Sequence, residues 1–173
     1  MANPFALFDL PVQFQVDAEQ LSARYLALQK SLHPDNFSAS SAQEQRLAVQ
    51  KSAEINDALQ VLKDPILRAE AIVRFHTGEQ QDIEQKSTRD MLFLMQQMEW
   101  RETLESIEIA KNEEKLTAFT DDIAQEEKAI LAQLETALNA QQWAEALAIN
   151  DKLRFIKKLQ VEIERVEEKI FEF

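Results

Sequence analysis

His33-Pro34-Asp35, with Ser31 just before it and Ser38 just after, places the residue types of a hydrolase triad within eight positions. A working triad needs the serine, histidine and aspartate in mutual hydrogen-bond reach beside an oxyanion hole. The glycine-rich elbow that would build one is missing, and a single glycine in 173 residues leaves no material for phosphate-cradling loops. The chain has no cysteine, which removes disulfides, thiol nucleophiles, thiolate metal sites and a cysteine-held iron–sulfur cluster together. Histidine stands only at 33 and 76, so the Glu-x-x-His pairs of a di-iron bundle have no place in the second half. The expectation is a chain that is not an enzyme and that binds no metal and no cofactor.

The same triplet reads better as a turn between helices. Asp17 is a plausible N-cap, and Leu21, Tyr25, Leu28 and Leu32 after it form one face of a 3.6-residue period. Pro34 lacks a backbone N–H and biases His33 away from the α region, which predicts a helix end near Leu32 or His33. A polar loop of about seven residues follows, a length usual between helices, and a second periodic segment then runs to Leu62. Upstream, Pro4 to Pro11 predicts one helical turn whose Phe5 and Phe8 can lie over the pair. Helix, stiff HPD turn and antiparallel helix together resemble the core of a J domain, the module that switches on the ATPase of DnaK-type chaperones. The plainer alternative is a structural proline turn in an unrelated helical hairpin.

Charge narrows the partners. The formal net charge is −12, against the basic footprint that phosphate recognition needs, so no nucleic-acid binding is expected. Residues 1–75 carry a net −2 and residues 76–173 a net −10, which reads first as a solvated helical surface. No apolar run reaches the length of a membrane span, and no basic-then-apolar leader is visible at the N-terminus, so a cytoplasmic protein without membrane contact is expected.

Punctuation divides the chain. Proline falls at 4, 11, 34 and 65 and the one glycine is Gly78, so the last ninety-five residues contain neither. That stretch favours long helices. The first half reads as helices over about 4–9, 18–32, 41–62 and 66–75, the last with Asp64 as N-cap, Pro65 at its first position, and Leu67, Ala71, Ile72 and Phe75 packing back on the hairpin. The second half reads as helices over about 88–110, 113–138 and 142–171. Leu116, Phe119, Ile123, Ile130, Leu134 and Leu138 form one stripe, and Leu153, Ile156, Ile163 and Ile170 another. The predicted fold is all-α: residues 1–75 a J domain, 76–87 a linker, and 88–173 a three-helix bundle.

The first bundle helix is apolar on two sides. Phe93, Trp100, Leu104 and Ile107 cluster on one, and Met91, Leu94, Met95 and Met98 on nearly the opposite one. A bundle buries one face, so the second stripe must pack on the N-terminal half or stay available to a partner. Periodicity alone leans slightly to the former. Phe155, at the edge of the last helix's stripe, is placed to flank the same surface.

With Phe5-Ala-Leu-Phe-Asp-Leu-Pro11, Leu32-His-Pro-Asp-Asn-Phe37 and Arg89-Asp-Met-Leu-Phe-Leu-Met-Gln-Gln-Met-Glu-Trp-Arg-Glu102, the whole chain resembles the HscB family of co-chaperones of iron–sulfur cluster assembly. The resemblance implies an L-shaped pair of domains in a monomer. It implies that His33, Pro34 and Asp35 dock on the DnaK-like chaperone HscA, with Arg24, Lys30 and Asn36 beside them. The bundle would bind the cluster scaffold protein IscU through an apolar centre of Leu94, Met95, Met98 and Phe155 and a charged rim of Arg89, Glu99, Arg101 and Glu102. The chain departs from many J domains at Asn36, where they carry Lys, and its basic patch is reduced to Arg24 and Lys30.

Overall fold

Caps and prolines set the helix ends in the computed structural model, which describes residues 3–78 and 90–171. Every regular element among them is helical. They fall into two compact units, divided between Gln80 and Gln81.

In the first unit, α1 (Pro4–Leu7) starts at Asn3, whose side chain accepts the Phe5 N–H at 2.9 Å, with Pro4 at a position where no donor is needed. α2 (Ala18–Ser31) is capped by Asp17, α3 (Ala42–Lys63) by Ser41 and α4 (Pro65–Thr77) by Asp64. Between α2 and α3, Pro34–Phe37 form a single 3-10 turn where the sequence suggested only a loop. Phe5, Phe8, Phe14, Ile55 and Leu62 make the buried centre, so the one-turn α1 does lie over the hairpin.

Two expectations for this unit need correcting. α4 buries Ile66, Ala69, Ile72 and Val73, while Leu67 and Phe75 are exposed and line a cavity of about 520 Å³ with Leu7 and Val61. The inward face is rotated from the predicted one, because this helix is apolar on two sides and the period alone does not choose between them. α4 also runs through His76 to Thr77, ending where Gly78 takes φ +72° and its N–H reaches the Arg74 carbonyl at 2.8 Å. The rest of the predicted linker, from residue 79, lies outside the described residues.

The α2–α3 seam is more polar than its stripe suggested, for only Leu21 of that face is fully buried. Tyr25 Oη donates to Asn56 Oδ1 at 2.6 Å, Gln29 Nε2 to the same oxygen at 3.0 Å, and Ser52 Oγ to Gln29 Oε1 at 2.8 Å. Directional bonds thereby set the register of the two helices.

The second unit is the expected bundle of α5 (Met91–Ala110), α6 (Glu113–Asn139) and α7 (Trp143–Ile170). The whole predicted α6 stripe is buried, as are Leu153, Ile156 and Ile163 of α7. α5 and α7 run parallel and are clasped at both ends. Asp90 meets Lys152 at 3.2 Å, and Glu108 meets Arg165 and Lys169 at 3.2 Å each.

The tight connections use no glycine. After α5, the Lys111 N–H bonds the Glu108 carbonyl and the Asn112 N–H the Ile107 carbonyl; after α6, Gln141 and Gln142 do the same to Leu138 and Ala137. These are Schellman closures, which require a left-handed residue, here Lys111 (φ +50°) and Gln141 (φ +58°). A third closes α1 through Asp9 (φ +54°).

Candidate functional site

Two surfaces gather the residues singled out by the sequence, one in each unit. In the first, His33 takes the extended conformation that a following proline imposes (φ −57°, ψ 137°) and caps the 3-10 turn. Its Nδ1 accepts the Asp35 N–H at 3.2 Å and lies 3.5 Å from Asp35 Oδ2. Both side chains remain open to solvent, Asp35 almost fully, so the loop presents a carboxylate on a braced turn. Ser31 and Ser38 donate to the carbonyls of Leu28 and Asp35, with no bond to His33, and the triad arrangement does not form.

Asn36 has a structural task. Its backbone N–H bonds the His33 carbonyl at 2.9 Å, and its Nδ2 donates to the carbonyls of Lys30 at 2.8 Å and Ser31 at 3.3 Å. Those are carbonyls of the last turn of α2, where the regular helix bonds run out, and the Lys30 carbonyl also accepts the His33 N–H at 3.3 Å. Gln45, on α3, ties the far side by donating to the carbonyls of Phe37 (2.9 Å) and Ser40 (3.4 Å). Sequence reasoning missed Gln45, since nothing in a lone glutamine says which loop it will brace. Of the two basic residues, Lys30 is exposed, whereas Arg24 donates to the carbonyls of Phe8 and Asp9 and holds the α1 turn to α2.

In the second unit, Asp90 caps α5 by accepting the Phe93 N–H at 3.1 Å. That bond, more than Lys152, holds its carboxyl below the usual range. From this anchored start the helix turns Phe93, Leu104 and Ile107 inward. It leaves Met91 (67 %), Leu94 (39 %), Met95 (62 %) and Met98 (62 %) exposed. At 100° per residue Arg101 follows Met98 on the Leu94 side, and Glu99 and Glu102 flank Met95; all three are exposed. Arg89 lies outside the described residues.

Phe155 is placed differently from the other apolar candidates. Only 9 % of it is exposed. Its ring stacks on Trp100 (centroids 6.1 Å apart, 14° between planes) and meets Phe93 edge-on at 5.8 Å, with the Arg101 guanidinium carbon 5.5 Å from its centroid. Phe93 and Trp100, which the sequence assigned to the core face, together join Phe155 to α5, on the side away from Met91, Met95 and Met98. Among the described residues no cluster of His, Asp and Glu could hold a metal ion, and no helix is long and apolar enough to cross a membrane.

These two surfaces can be set beside known proteins. A family model described as the HSCB C-terminal oligomerisation domain matches residues 89–164. The chain is 67 % identical to the co-chaperone protein HscB homolog of Pasteurella multocida, over 99 % of each. This chain belongs to the HscB family of co-chaperones. Among solved structures, the chaperone HscB from Vibrio cholerae is 43 % identical with a TM-score of 0.86, covering 98 % of this chain and 100 % of that one. Human co-chaperone protein HscB is 25 % identical with a TM-score of 0.83, covering 96 % of this chain and 83 % of that one. For a member of the HscB family, the HPD turn belongs to a J-domain fold, and the relatives are named as co-chaperones.

Proposed function

We propose that this chain is a two-ended adaptor of iron–sulfur cluster biogenesis, with the HPD turn acting on a DnaK-like chaperone, HscA, and the α5 face carrying the scaffold protein IscU, in the cytoplasm. The observation that carries the reading is the coexistence, in an HscB-family chain, of a braced, exposed His33-Pro34-Asp35 turn and an apolar strip that its own bundle leaves uncovered. The adaptor makes and breaks no bond. Asp35 offers its carboxylate to a cation on the chaperone, and the turn favours the chaperone conformation nearest hydrolysis, shifting that equilibrium. Leu94, Met95 and Met98 form an apolar centre, and Glu99, Arg101 and Glu102 its charged rim, the usual anatomy of a protein interface, to which the family resemblance adds Arg89. Phe155, packed on Phe93 and Trp100 at the opposite side of α5, contributes by fixing how the helix presents that centre. Holding the scaffold on the same chain raises its effective concentration at the chaperone. Lys30 supplies steering, and Arg24 adds its charge from behind the α1 turn.

The chaperone's ATP turnover, measured with scaffold present, tests the first surface: Asp35→Ala is expected to abolish stimulation, and undiminished stimulation would overturn the J-domain role. Titrating the scaffold against the Leu94→Ala/Met98→Ala protein tests the second. Wild-type affinity in that double variant would leave a general J-domain co-chaperone with another client, or a helical adaptor outside chaperone work if stimulation were missing too.

A second reading of the same strip is favoured by the family model's own description, which is of an oligomerisation domain. There the exposed face of α5 would pair copies of the chain in place of a monomer. Sedimentation over a range of concentrations separates the two, since self-association through the strip would be lost in the Leu94→Ala/Met98→Ala protein.

A further inference from the structure

The chain has no cysteine and four methionines, and three of those, Met91, Met95 and Met98, stand on one face of α5. The spacing of four and three residues stacks their thioethers along a single strip. All three are more than half exposed, and no buried residue of the bundle is a methionine. The sulfur of this unit is therefore concentrated on the surface proposed to meet the scaffold and kept out of the core.

We propose that Met91, Met95 and Met98 form a methionine-oxidation site that turns the partner face off while leaving the bundle folded. The inference rests on the assignment of that face to the scaffold. The oxidant is a hydroperoxide, of which hydrogen peroxide is the simplest. A sulfur lone pair attacks one peroxide oxygen, the O–O bond breaks, an S–O bond forms, and the second oxygen leaves as water after a proton shift. Sulfur is oxidised by two electrons and the peroxide is reduced by two. The product sulfoxide is polar, chiral and a strong acceptor, and methionine sulfoxide reductases reverse it. Buried at an apolar interface without a donor, each sulfoxide opposes binding, and one such group weakens affinity about tenfold. The fold is spared because Phe93, Leu104 and Ile107, which tie α5 into the bundle, contain no sulfur.

The test treats the full chain alone with hydrogen peroxide, removes the peroxide, locates added oxygen by peptide mass spectrometry and titrates the protein with scaffold. A Met91→Leu/Met95→Leu/Met98→Leu variant, which keeps the apolar volume, is treated in parallel. The expected result is added oxygen on the three methionines, scaffold affinity down tenfold or more, unchanged helical circular dichroism, and recovery after a sulfoxide reductase. The leucine variant, whose own untreated affinity is its reference, shows no change in affinity on treatment. Oxidised wild type that binds like untreated protein overturns the proposal, as does an equal loss in the treated leucine variant. Untreated wild type that fails to bind the scaffold sinks the assignment of the face itself, a result distinct from the other two.

Discussion

At the scale of single residues, Asn36 shows how one amide substitutes for charge. A lysine at this position would offer an ammonium to a partner; the asparagine turns inward and caps α2 through Lys30 and Ser31. Replacing it with aspartate sets a carboxylate against those carbonyls, at the negative end of the helix dipole. Asn36→Asp, which loses both side-chain hydrogen bonds, is expected to lower chaperone stimulation about fivefold or more, while Asn36→Lys, which keeps a donor there, is tolerated. Titrating chaperone ATP turnover against each variant checks this. The HPD turn was legible in the sequence because Pro34 acts locally on its neighbours. Its bracing was not, because Gln45 and Asn36 work through backbone carbonyls whose positions depend on the folded hairpin.

At the scale of elements, helix existence was easy to read and helix facing was less so. The α6 stripe, apolar on one side and charged on the other, left one packing solution, and all six predicted residues are buried. α4 is apolar on two sides, and the choice of Ile66-Ala69-Ile72-Val73 over the expected Leu67-Ala71-Ile72-Phe75, with Ile72 common to both, was made by neighbours that a single helix does not reveal. Phe155 escaped full placement for a related reason. Its stack on Trp100 depends on the parallel register of α5 and α7, which follows from both helices and the clasps between them. The missing glycines do have a legible consequence. Lys111 sits left-handed at φ +50°, a conformation that costs an L-residue and that glycine adopts freely. Lys111→Gly is expected to stabilise the bundle by about 0.5–1 kcal/mol after the extra chain entropy of glycine is counted, and Gln141→Gly likewise. A thermal melt followed by circular dichroism would show the midpoint rising by a few degrees about in line with that gain, and an unchanged or lower midpoint in both would contradict it.

At the scale of the whole molecule, acid acts mainly through the clasps of the bundle. The hydrogen bond from Arg165, then that from Lys169, holds the Glu108 carboxyl below its usual range, and Asp90 is held low by the Phe93 N–H. Both groups are lower in the folded chain than in the unfolded one. Their contribution is therefore present at neutral pH and is lost as pH falls through the folded values. Asp151, raised by burial, acts in the opposite direction, since protonation relieves it. Glu108→Gln is expected to melt lower than wild type at neutral pH and to lose less on acidification, which a series of melts across pH would reveal as converging curves. The seam between α2 and α3 is built otherwise, from a phenol, two amides and an alcohol, with no carboxylate or ammonium in it. Ionic strength therefore reaches the two units unequally: counterions that screen Glu108 and Asp90 from their cations find nothing to screen between Tyr25 and Asn56. In concentrated salt the hairpin keeps its register while the grip of α5 on α7 slackens.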